Sequence, residues 1–182
     1  MPKKKQILPL QEGSEDMKTA ISESRTVKIS EATTLITRAF KKKRPVFLWG
    51  PPGIGKSELV QEIGDSGALG NTLVIDMRLA LFEPTDLRGY PVPNMETGVM
   101  QWFPPADLPS KELAAQYDTV IVFLDEMNSA APSVQAAGYQ LILNRRIGQY
   151  ELPDNVVMIA AGNRETDKGV TYRMPKPLEN RF

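Results

Sequence analysis

The chain has 182 residues, and its 22 lysines and arginines balance its 22 aspartates and glutamates, so the formal net charge is zero. It has no cysteine and no histidine, which excludes disulfides, thiolate metal sites, histidine-based catalytic triads and nearly all zinc sites. Any catalysis would rely on carboxylates, amides, lysine, arginine and a hard cation such as Mg²⁺. No apolar run approaches the roughly 18 residues that span a bilayer, and no signal peptide is evident, so we expect a soluble, cytoplasmic protein.

The amino-terminal part of the chain is predicted to be a tail followed by one domain. Residues 1–25 are polar, and we expect a flexible, solvated tail there, with a nucleic-acid-binding arm as the alternative. Residues 26–182 are enough for a single domain with a sizeable core. Ser30 is a good helix N-cap, and apolar residues recur at helical spacing from there to Phe40. The four cations at 41–44 suit the carboxyl end of that helix.

The most informative segment is GPPGIGKS at 50–57, which fits the P-loop pattern GxxxxGK followed by Ser or Thr. The apolar segment 46–49 before it is predicted to be a short buried strand, and a helix is predicted from Glu58. This order points backbone N–H groups and the positive end of a helix dipole at one spot, where phosphate binds. We expect Lys56 to reach the β- and γ-phosphates and the Ser57 hydroxyl to ligate Mg²⁺. The expected nucleotide-binding residues are Gly50, Pro51, Pro52, Gly53, Ile54, Gly55, Lys56, Ser57 and Glu58.

Three further strands are predicted: a segment rich in β-forming residues at 72–77, and continuous apolar runs at 119–124 and 156–161. Runs that are apolar at every position favour strands covered on both faces, as in a parallel sheet between helices. The spacing at 134–145 predicts a helix, and the proline- and glycine-rich segment 82–109 predicts loops with a short hairpin near 92–102. We therefore predict an α/β fold with an open sheet that binds ligands at the carboxyl ends of its strands.

Two carboxylates, Asp125 and Glu126, follow the strand predicted at 119–124. Beside a nucleotide, Asp125 could hold Mg²⁺ directly or through water, and Glu126 could orient or activate the attacking water. Acids are also common at solvent-exposed strand ends. The P-loop earlier in the chain favours the catalytic interpretation.

Two further polar residues are candidates for contacts with phosphate. Asn163 follows the strand at 156–161, and its amide could bond both the attacking water and the γ-phosphate, although asparagine is also ordinary in turns. Arg181 carries a planar, permanent charge that suits the phosphoryl oxygens of a transition state, although it could equally be a surface arginine. With Lys56 and Glu126, these two residues make up the expected catalytic set.

Four features, taken in chain order, resemble those of the AAA+ ATPases. They are the P-loop (Walker A), the acidic pair (Walker B), the strand that ends in Gly162-Asn163 and the triplet Asn180-Arg181-Phe182. Within that superfamily the chain looks most like the MoxR group. The further segments that carry this resemblance are EPTDLRG at 83–89, WFPPA at 102–106, DEMN at 125–128 and PSVQ at 132–135.

The resemblance implies that 26–182 form a large nucleotide-binding subdomain, a P-loop NTPase three-layer sandwich with a mostly parallel sheet. It also implies a β-hairpin insert in the second helix, at about 86–102, and a second hairpin around 147–152. Asn163 resembles the sensor-1 residue that reports the γ-phosphate. Arg181 resembles the arginine finger, which would act on the nucleotide of a neighbouring subunit.

Members of the MoxR group are chaperone-like ATPases, and the implied function is Mg²⁺-dependent ATP binding and hydrolysis that remodels or matures partner proteins. The implied assembly is a homo-oligomeric ring, expected to be a hexamer with its nucleotides at subunit interfaces. Partners of such rings often carry a von Willebrand factor A domain.

The chain departs from the group's pattern in three places. Asn128-Ser129 stands where members commonly have Asn-Arg, and Arg164 follows the sensor asparagine where proline is frequent. The small helical lid subdomain is absent from the sequence up to Phe182, so we expect another part of a longer chain or a second polypeptide to supply it.

Three alternatives remain open. The chain could be a nucleotide-dependent switch without efficient hydrolysis, or an AAA+ motor stimulated by nucleic acid, which the neutral charge disfavours. A small-molecule kinase is also possible, but we find neither an arginine-rich lid nor an acceptor pocket in the sequence. Neither a nucleic acid nor a membrane is indicated as a partner.

Overall fold

The structure is a computed structural model that describes residues 27–164 of the chain. The predicted tail and Arg181 lie outside these residues. None of the helices within them is long and apolar enough to cross a membrane. The elements are α1 (Ile29–Lys41), β1 (Val46–Trp49), α2 (Lys56–Asp65), β2 (Thr72–Arg78), α3 (Pro84–Arg88), β3 (Tyr90–Asn94), β4 (Val99–Phe103), α4 (Lys111–Ala114), β5 (Thr119–Asp125), α5 (Pro132–Asn144), β6 (Arg146–Ile147), β7 (Tyr150–Glu151) and β8 (Val156–Gly162).

The main sheet has four parallel strands in the order β1-β8-β5-β2. The register places Val46 opposite Ile159 and Val120 opposite Val156. This arrangement confirms the predicted α/β fold with a mostly parallel sheet. Because β8 lies between β1 and β5, Asn163 at its carboxyl end is placed between the P-loop and the acidic pair.

Both faces of the sheet are covered at its central strands β5 and β8, as the continuous apolar runs predicted. The edge strands β1 and β2 are mostly half-buried, so the prediction of a buried strand at 46–49 was wrong in its burial. In β5, Val120, Val122 and Leu124 pack into one cluster with residues of α5, whereas Ile121 and Phe123 pack on the other face with residues of α1 and α2. All five side chains are at most 1% exposed. Because successive side chains of a strand point to opposite faces, a strand between two helical layers needs an apolar residue at every position.

The predicted elements differ from the observed ones mainly at their ends. Helix α1 begins two residues earlier than a Ser30 cap would allow: its N-cap is Lys28, whose carbonyl accepts from the Ala32 N–H at 2.9 Å. Ser30 lies inside the helix, where its carbonyl accepts a hydrogen bond from the Thr34 hydroxyl at 3.3 Å. The side chain of Ser30 provides no cap, so the prediction of Ser30 as the N-cap was wrong.

Both predicted hairpins are present. Strands β3 and β4 pair antiparallel from Tyr90–Phe103 to Asn94–Val99, between the short helices α3 and α4. Gly89 at the base of this hairpin has a φ of 84°, and a Cβ there would collide with the carbonyl oxygen of Phe103. The second hairpin pairs β6 with β7, next to the carboxyl end of α5.

Candidate functional site

The P-loop connects the end of β1 to the start of α2. Gly53 and Gly55 have φ angles of 74° and 89°, in the left-handed region that favours glycine, and Gly55 directly precedes α2. Pro51 and Pro52 have no backbone N–H, so the donors of this turn come from Gly53 onward. The loop therefore ends in a run of N–H groups at the amino terminus of a helix, which is the arrangement that binds phosphate.

Lys56, the first residue of α2, is half-buried and joins the P-loop to the end of β8. Its Nζ donates to the carbonyl oxygens of Gly50 at 2.8 Å and Pro51 at 3.1 Å, and to Asn163 Oδ1 at 3.2 Å. The Gly50 N–H in turn donates to the Gly162 carbonyl at 3.2 Å. The ammonium group is thus held at the carboxyl edge of the sheet, where a phosphate in the loop would lie.

Ser57 and Asp125 form the second contact across the site. The Ser57 hydroxyl donates to Asp125 Oδ2 at 3.0 Å, and both side chains are half-buried. A hydroxyl and a carboxylate are hard oxygen donors, and Mg²⁺ is usually held by one or two such groups together with phosphates and water. Residues 27–164 contain no cluster of three or more carboxylates that could hold a metal ion by itself. The pair therefore fits a Mg²⁺ ion that arrives with a nucleotide.

Glu126 occupies an unusual backbone conformation directly after β5. Its φ is 54° and its side chain is exposed, while its N–H donates to Asp125 Oδ1 at 2.8 Å. A residue other than glycine in this region carries a cost of about 1–3 kcal/mol and is found more often at functional sites. The turn ends the strand and leaves the carboxylate accessible at the same edge as the P-loop.

Asp76 is a third carboxylate near this edge that the sequence analysis did not identify. It lies on β2, the neighbour of β5, where Arg78 is opposite Asp125. Asp76 is exposed at this position of the strand, and partial loss of water around its carboxyl raises its pKa above the ordinary value. The negative charge of Asp125 and, more weakly, that of Glu126 add to the rise in the pKa, and Arg78 opposes it. The feature of the sequence that could have identified Asp76 as a site residue is the presence of an acid within the strand predicted at 72–77.

Asn128 was also missed as a site residue, although the resemblance included its motif. It is 2% exposed, and its side-chain amide bonds both backbone groups of Asn163, donating from Nδ2 to the carbonyl at 2.6 Å and accepting at Oδ1 from the N–H at 3.0 Å. Gln135, 3% exposed, donates to the carbonyl of Ala130 at 2.9 Å. Amides that are buried among apolar residues must be hydrogen-bonded, and this requirement could have identified Asn128 and Gln135 as residues with a structural role near the site.

The structure thus brings most of the predicted site residues together. Hydrogen bonds join Lys56 to Asn163 and Ser57 to Asp125, and Glu126 adjoins the second pair. Arg181, predicted to act in a neighbouring subunit, lies outside the described residues.

These features define a P-loop NTPase-like protein. The first strand of a parallel sheet leads through a glycine turn into a helix, and Asp125 from a second strand is hydrogen-bonded to Ser57, the residue after the lysine. The chain belongs to the AAA family, described as the "ATPase family associated with various cellular activities (AAA)", whose profile matches residues 46–182.

Two solved structures have a similar fold. A candidate ATPase from Cytophaga hutchinsonii ATCC 33406 matches with a TM-score of 0.55 at 18% identity, over 92% of this chain and 48% of that one. NtrX from Brucella abortus in complex with ADP matches with a TM-score of 0.53 at 18% identity, over 91% of this chain and 37% of that one. The chain therefore spans less than half the length of each of these proteins.

Proposed function

We propose that this protein binds ATP with Mg²⁺ at the carboxyl edge of its sheet and hydrolyses it by in-line attack of water on the γ-phosphorus. The observation that carries the proposal is the pair of contacts Lys56–Asn163 and Ser57–Asp125, which gather side chains from three separate segments around the P-loop. Membership of a family of ATPases supports it. NtrX, a protein with a similar fold, forms a complex with ADP, which is consistent with nucleotide binding by this chain.

Each residue has a role that follows from its chemistry. The N–H groups of the P-loop from Gly53 onward and the Lys56 ammonium would bind the phosphates. Ser57 and Asp125 would hold Mg²⁺, which when bound neutralises charge on the phosphate oxygens. Glu126 would orient the attacking water and accept its proton, and the Asn163 amide would donate to the γ-phosphate.

Arg181 would complete the site from a neighbouring subunit of a homo-oligomeric ring, which we propose to be a hexamer. A guanidinium supplied in trans would make turnover depend on assembly. Arg181→Ala should therefore lower turnover of the assembled protein and leave nucleotide affinity of dilute protomers almost unchanged. An equal loss of affinity in dilute protomers would contradict action in trans.

We also propose a MoxR-like chaperone role in the cytoplasm, in which hydrolysis drives remodelling or maturation of a partner protein. The segments EPTDLRG at 83–89 and WFPPA at 102–106 flank the hairpin insert and support this subgroup. A protein with a von Willebrand factor A domain is the partner class to test, by measuring whether such a protein changes the rate of ATP turnover.

The experiment that tests the chemistry is the Glu126→Gln substitution, with Glu62→Gln on the exposed side of α2 as the matched control. The amide keeps the size of the side chain but cannot accept the proton. We expect ATP affinity to stay within about twofold and turnover to fall roughly 100-fold or more, within the range typical of a general base. Normal turnover in Glu126→Gln would exclude that residue as the base.

Other outcomes of the same assay separate the remaining candidates. ATP binding without turnover in the wild-type assembly would favour a nucleotide-dependent switch. Turnover that requires single-stranded nucleic acid would favour a nucleic-acid motor.

A further inference from the structure

The β3–β4 hairpin, residues 90–103, exposes apolar side chains on both of its faces. Glu96 is its only charged residue. Two-stranded ribbons are marginally stable alone, and a contiguous exposed apolar surface is typical of an interaction site. In the β3–β4 hairpin, the large apolar side chains that are more than a third exposed are Tyr90, Val92, Met95, Val99, Met100, Trp102 and Phe103.

The two edges of this hairpin differ in their hydrogen-bonding groups. Pro91 and Pro93 on β3 lie opposite Trp102 and Met100 on β4. Proline has no N–H, so these two positions suit the pairs that exchange no hydrogen bonds, in which backbone groups point away from the partner strand. Met100 and Trp102 therefore direct their N–H and C=O groups to the outer edge of β4, where no third strand pairs among residues 27–164. The outer edge of β3 lacks the corresponding donors.

We propose that β4 pairs antiparallel with β4 of a second copy of this chain, about a two-fold axis through Gln101. In this register Met100 faces Trp102 of the second copy and exchanges main-chain hydrogen bonds with it, and Val99 faces Phe103. These are methionine–aromatic and β-branched–aromatic pairs, which are favourable across strands. Gln101 faces its own counterpart, and β4 has no charged residue to repel its copy.

This pairing gives a four-stranded sheet that does not favour the addition of a further strand at either side. Its outer strands would be the two copies of β3, whose Pro91 and Pro93 offer no N–H donors to a further strand. A two-fold contact of this kind is self-complementary and closes after two copies. The proposed contact uses β4 (Val99–Phe103), which contains none of the residues proposed to bind the nucleotide.

Sedimentation velocity of the full chain without nucleotide tests the proposal, with Met100→Pro as the variant. Proline at position 100 removes an outward N–H and leaves the ladder to β3 intact, as Pro93 does on the opposite strand. The proposed ring carries its nucleotides at the subunit interfaces, so nucleotide-free protein reports on the β4 contact separately. We expect concentration-dependent dimers of the wild type under this condition and at least a tenfold lower association constant for Met100→Pro. Met95→Pro, in the hairpin turn, is the control and should associate like the wild type. Equal association of Met100→Pro and wild type would overturn the proposal.

Single cysteines test the register, because the chain has no cysteine of its own. Gln101→Cys would place two thiols across a non-hydrogen-bonded pair, with Cα atoms about 4.5 Å apart, within reach of a disulfide. Val99→Cys would place its copies on opposite sides of the axis, about 13 Å apart along the strands, beyond that reach. Oxidation should cross-link Gln101→Cys alone. A wild type that stays monomeric, or equal cross-linking of the two variants, would overturn the proposal.

A second inference concerns Asn128 and rests on the proposed function. Its amide bonds both backbone groups of Asn163, as a neighbouring strand would. The adjacent Gly162 leaves the room for this contact, because a Cβ there would lie 2.6 Å from Asn128 Oδ1. The Asn163 side chain, held by this backbone, reaches Lys56 Nζ. Asn128 therefore acts on the phosphate site through the position of Asn163.

A buried chain of hydrogen bonds holds Asn128 in turn. Gln135 on α5 donates to the carbonyls of Ala130 at 2.9 Å and Asn128 at 3.4 Å, and it accepts from the Tyr139 hydroxyl at 3.0 Å. Every buried side-chain nitrogen and oxygen in the described part of the chain has a partner. We infer that Asn128 is a positioning residue, which fixes Asn163 so that its amide discriminates nucleotides with a γ-phosphate from those without one.

Nucleotide binding to the full chain tests this inference without requiring turnover. The measured quantity is the ratio of the Kd values for ADP and ATPγS. Asn128→Asp keeps the size and the acceptor but replaces the donor to the Asn163 carbonyl with an oxygen. We expect this ratio to shift by roughly tenfold towards ADP, the size of one lost hydrogen bond to a charged group, as in Asn163→Ala. The double variant Asn128→Asp/Asn163→Ala should shift the Kd ratio no further than Asn163→Ala alone.

The matched control is Asn155→Asp, at the amino-terminal end of β8. Asn155 Nδ2 also donates to two backbone carbonyls, those of Ala114 at 2.8 Å and Tyr117 at 2.9 Å, so the exchange removes the same kind of bond. It should affect thermal stability and leave the Kd ratio unchanged. A shifted ratio in Asn163→Ala with a normal ratio in Asn128→Asp would overturn this inference alone, whereas absence of nucleotide binding in the wild type would overturn the proposed function as well.

Discussion

Lys56 and Asn163 lie 107 positions apart in the chain, yet the lysine Nζ donates to the asparagine Oδ1 at 3.2 Å. The contact exists because β8 lies directly beside β1 in the sheet, so that the end of β8 meets the loop that follows β1. The residue proposed to bind phosphate and the residue proposed to detect it are therefore in direct contact. A γ-phosphate would replace this contact with bonds from both side chains.

The first prediction concerns Lys56. Lys56→Met removes the ammonium that we place on the β- and γ-phosphates, and the loss of a charge-assisted bond should weaken ADP and ATP binding by roughly tenfold or more. Isothermal titration calorimetry measures both affinities. Lys111→Met, at an exposed position of α4, is the control and should bind like the wild type. Unchanged affinity in Lys56→Met would contradict the phosphate role.

The second prediction concerns the proposed Mg²⁺ ligands. Asp125→Asn removes the carboxylate charge from the pair with Ser57, and an amide is a weaker ligand for a hard cation. We expect ADP affinity in the absence of Mg²⁺ to stay close to the wild-type value, and the gain in affinity on adding Mg²⁺ to be lost. Asp107→Asn, an exposed acid between β4 and α4, should keep the gain. A full Mg²⁺-dependent gain in Asp125→Asn would place the ion elsewhere.

The third prediction is a pH dependence at Asp76. Its folded-state pKa is raised above the ordinary 3.8, mainly by partial loss of water around the carboxyl, so the folded protein holds this proton more tightly than the unfolded chain. The free energy of unfolding therefore falls as the pH rises through the window above 3.8. Asp76→Asn removes this loss, and the variant should be more stable than the wild type at pH 7, with the difference shrinking as the pH falls towards 3.8.

Urea unfolding at a series of pH values measures this difference. Asp76→Asn also removes the attraction between Asp76 and Arg78, which requires an ionised Asp76 and is already part of the net rise in the pKa of Asp76. A stability difference that stays constant with pH would therefore show that the charge of Asp76 is not responsible.

The parts of the fold predicted from sequence are those fixed by strong local patterns. The continuous apolar run of β5 predicted a strand covered on both faces, and the P-loop predicted the glycine turn with a helix behind it. The start of α1 was misplaced because a good capping residue, Ser30, lies one residue inside a helix whose packing residues are Ala32, Ile36 and Phe40. Packing of the apolar face overrides a capping preference of about 1 kcal/mol.

The missed parts of the site depend on strand order, which local patterns do not specify. No feature of the segment around Asn163 indicates that β8 lies between β1 and β5. Without that order, Asn128 is an amide after an acidic pair, and its bonds to Asn163 cannot be predicted. Asp76 was missed for the same reason, because its interaction with Asp125 requires β2 to lie beside β5.

The last prediction concerns Gly162, where the sheet, the P-loop and Asn128 meet. A Cβ at this position would lie 2.6 Å from Asn128 Oδ1 and 3.0 Å from Phe47 Cζ, both within tightly packed surroundings. Gly162→Ala must therefore displace the Asn128 amide or the end of β8. We expect the free energy of unfolding to fall by about 1–3 kcal/mol, the usual cost of an overpacked core. Nucleotide affinity should also fall, because the Gly162 carbonyl accepts from Gly50 at the start of the P-loop.

Gly138→Ala is the matched control for Gly162→Ala. It adds the same methyl group within α5, where the nearest atoms are the side-chain ends of Met127 at 3.3 Å and Leu79 at 3.4 Å, which can shift. The helix gains about 1 kcal/mol from the exchange of glycine for alanine, which offsets the crowding. Urea unfolding should therefore show little change for Gly138→Ala and a clear loss for Gly162→Ala. Equal stability of the two variants would mean that the close approach of Asn128 to β8 is not needed for the fold.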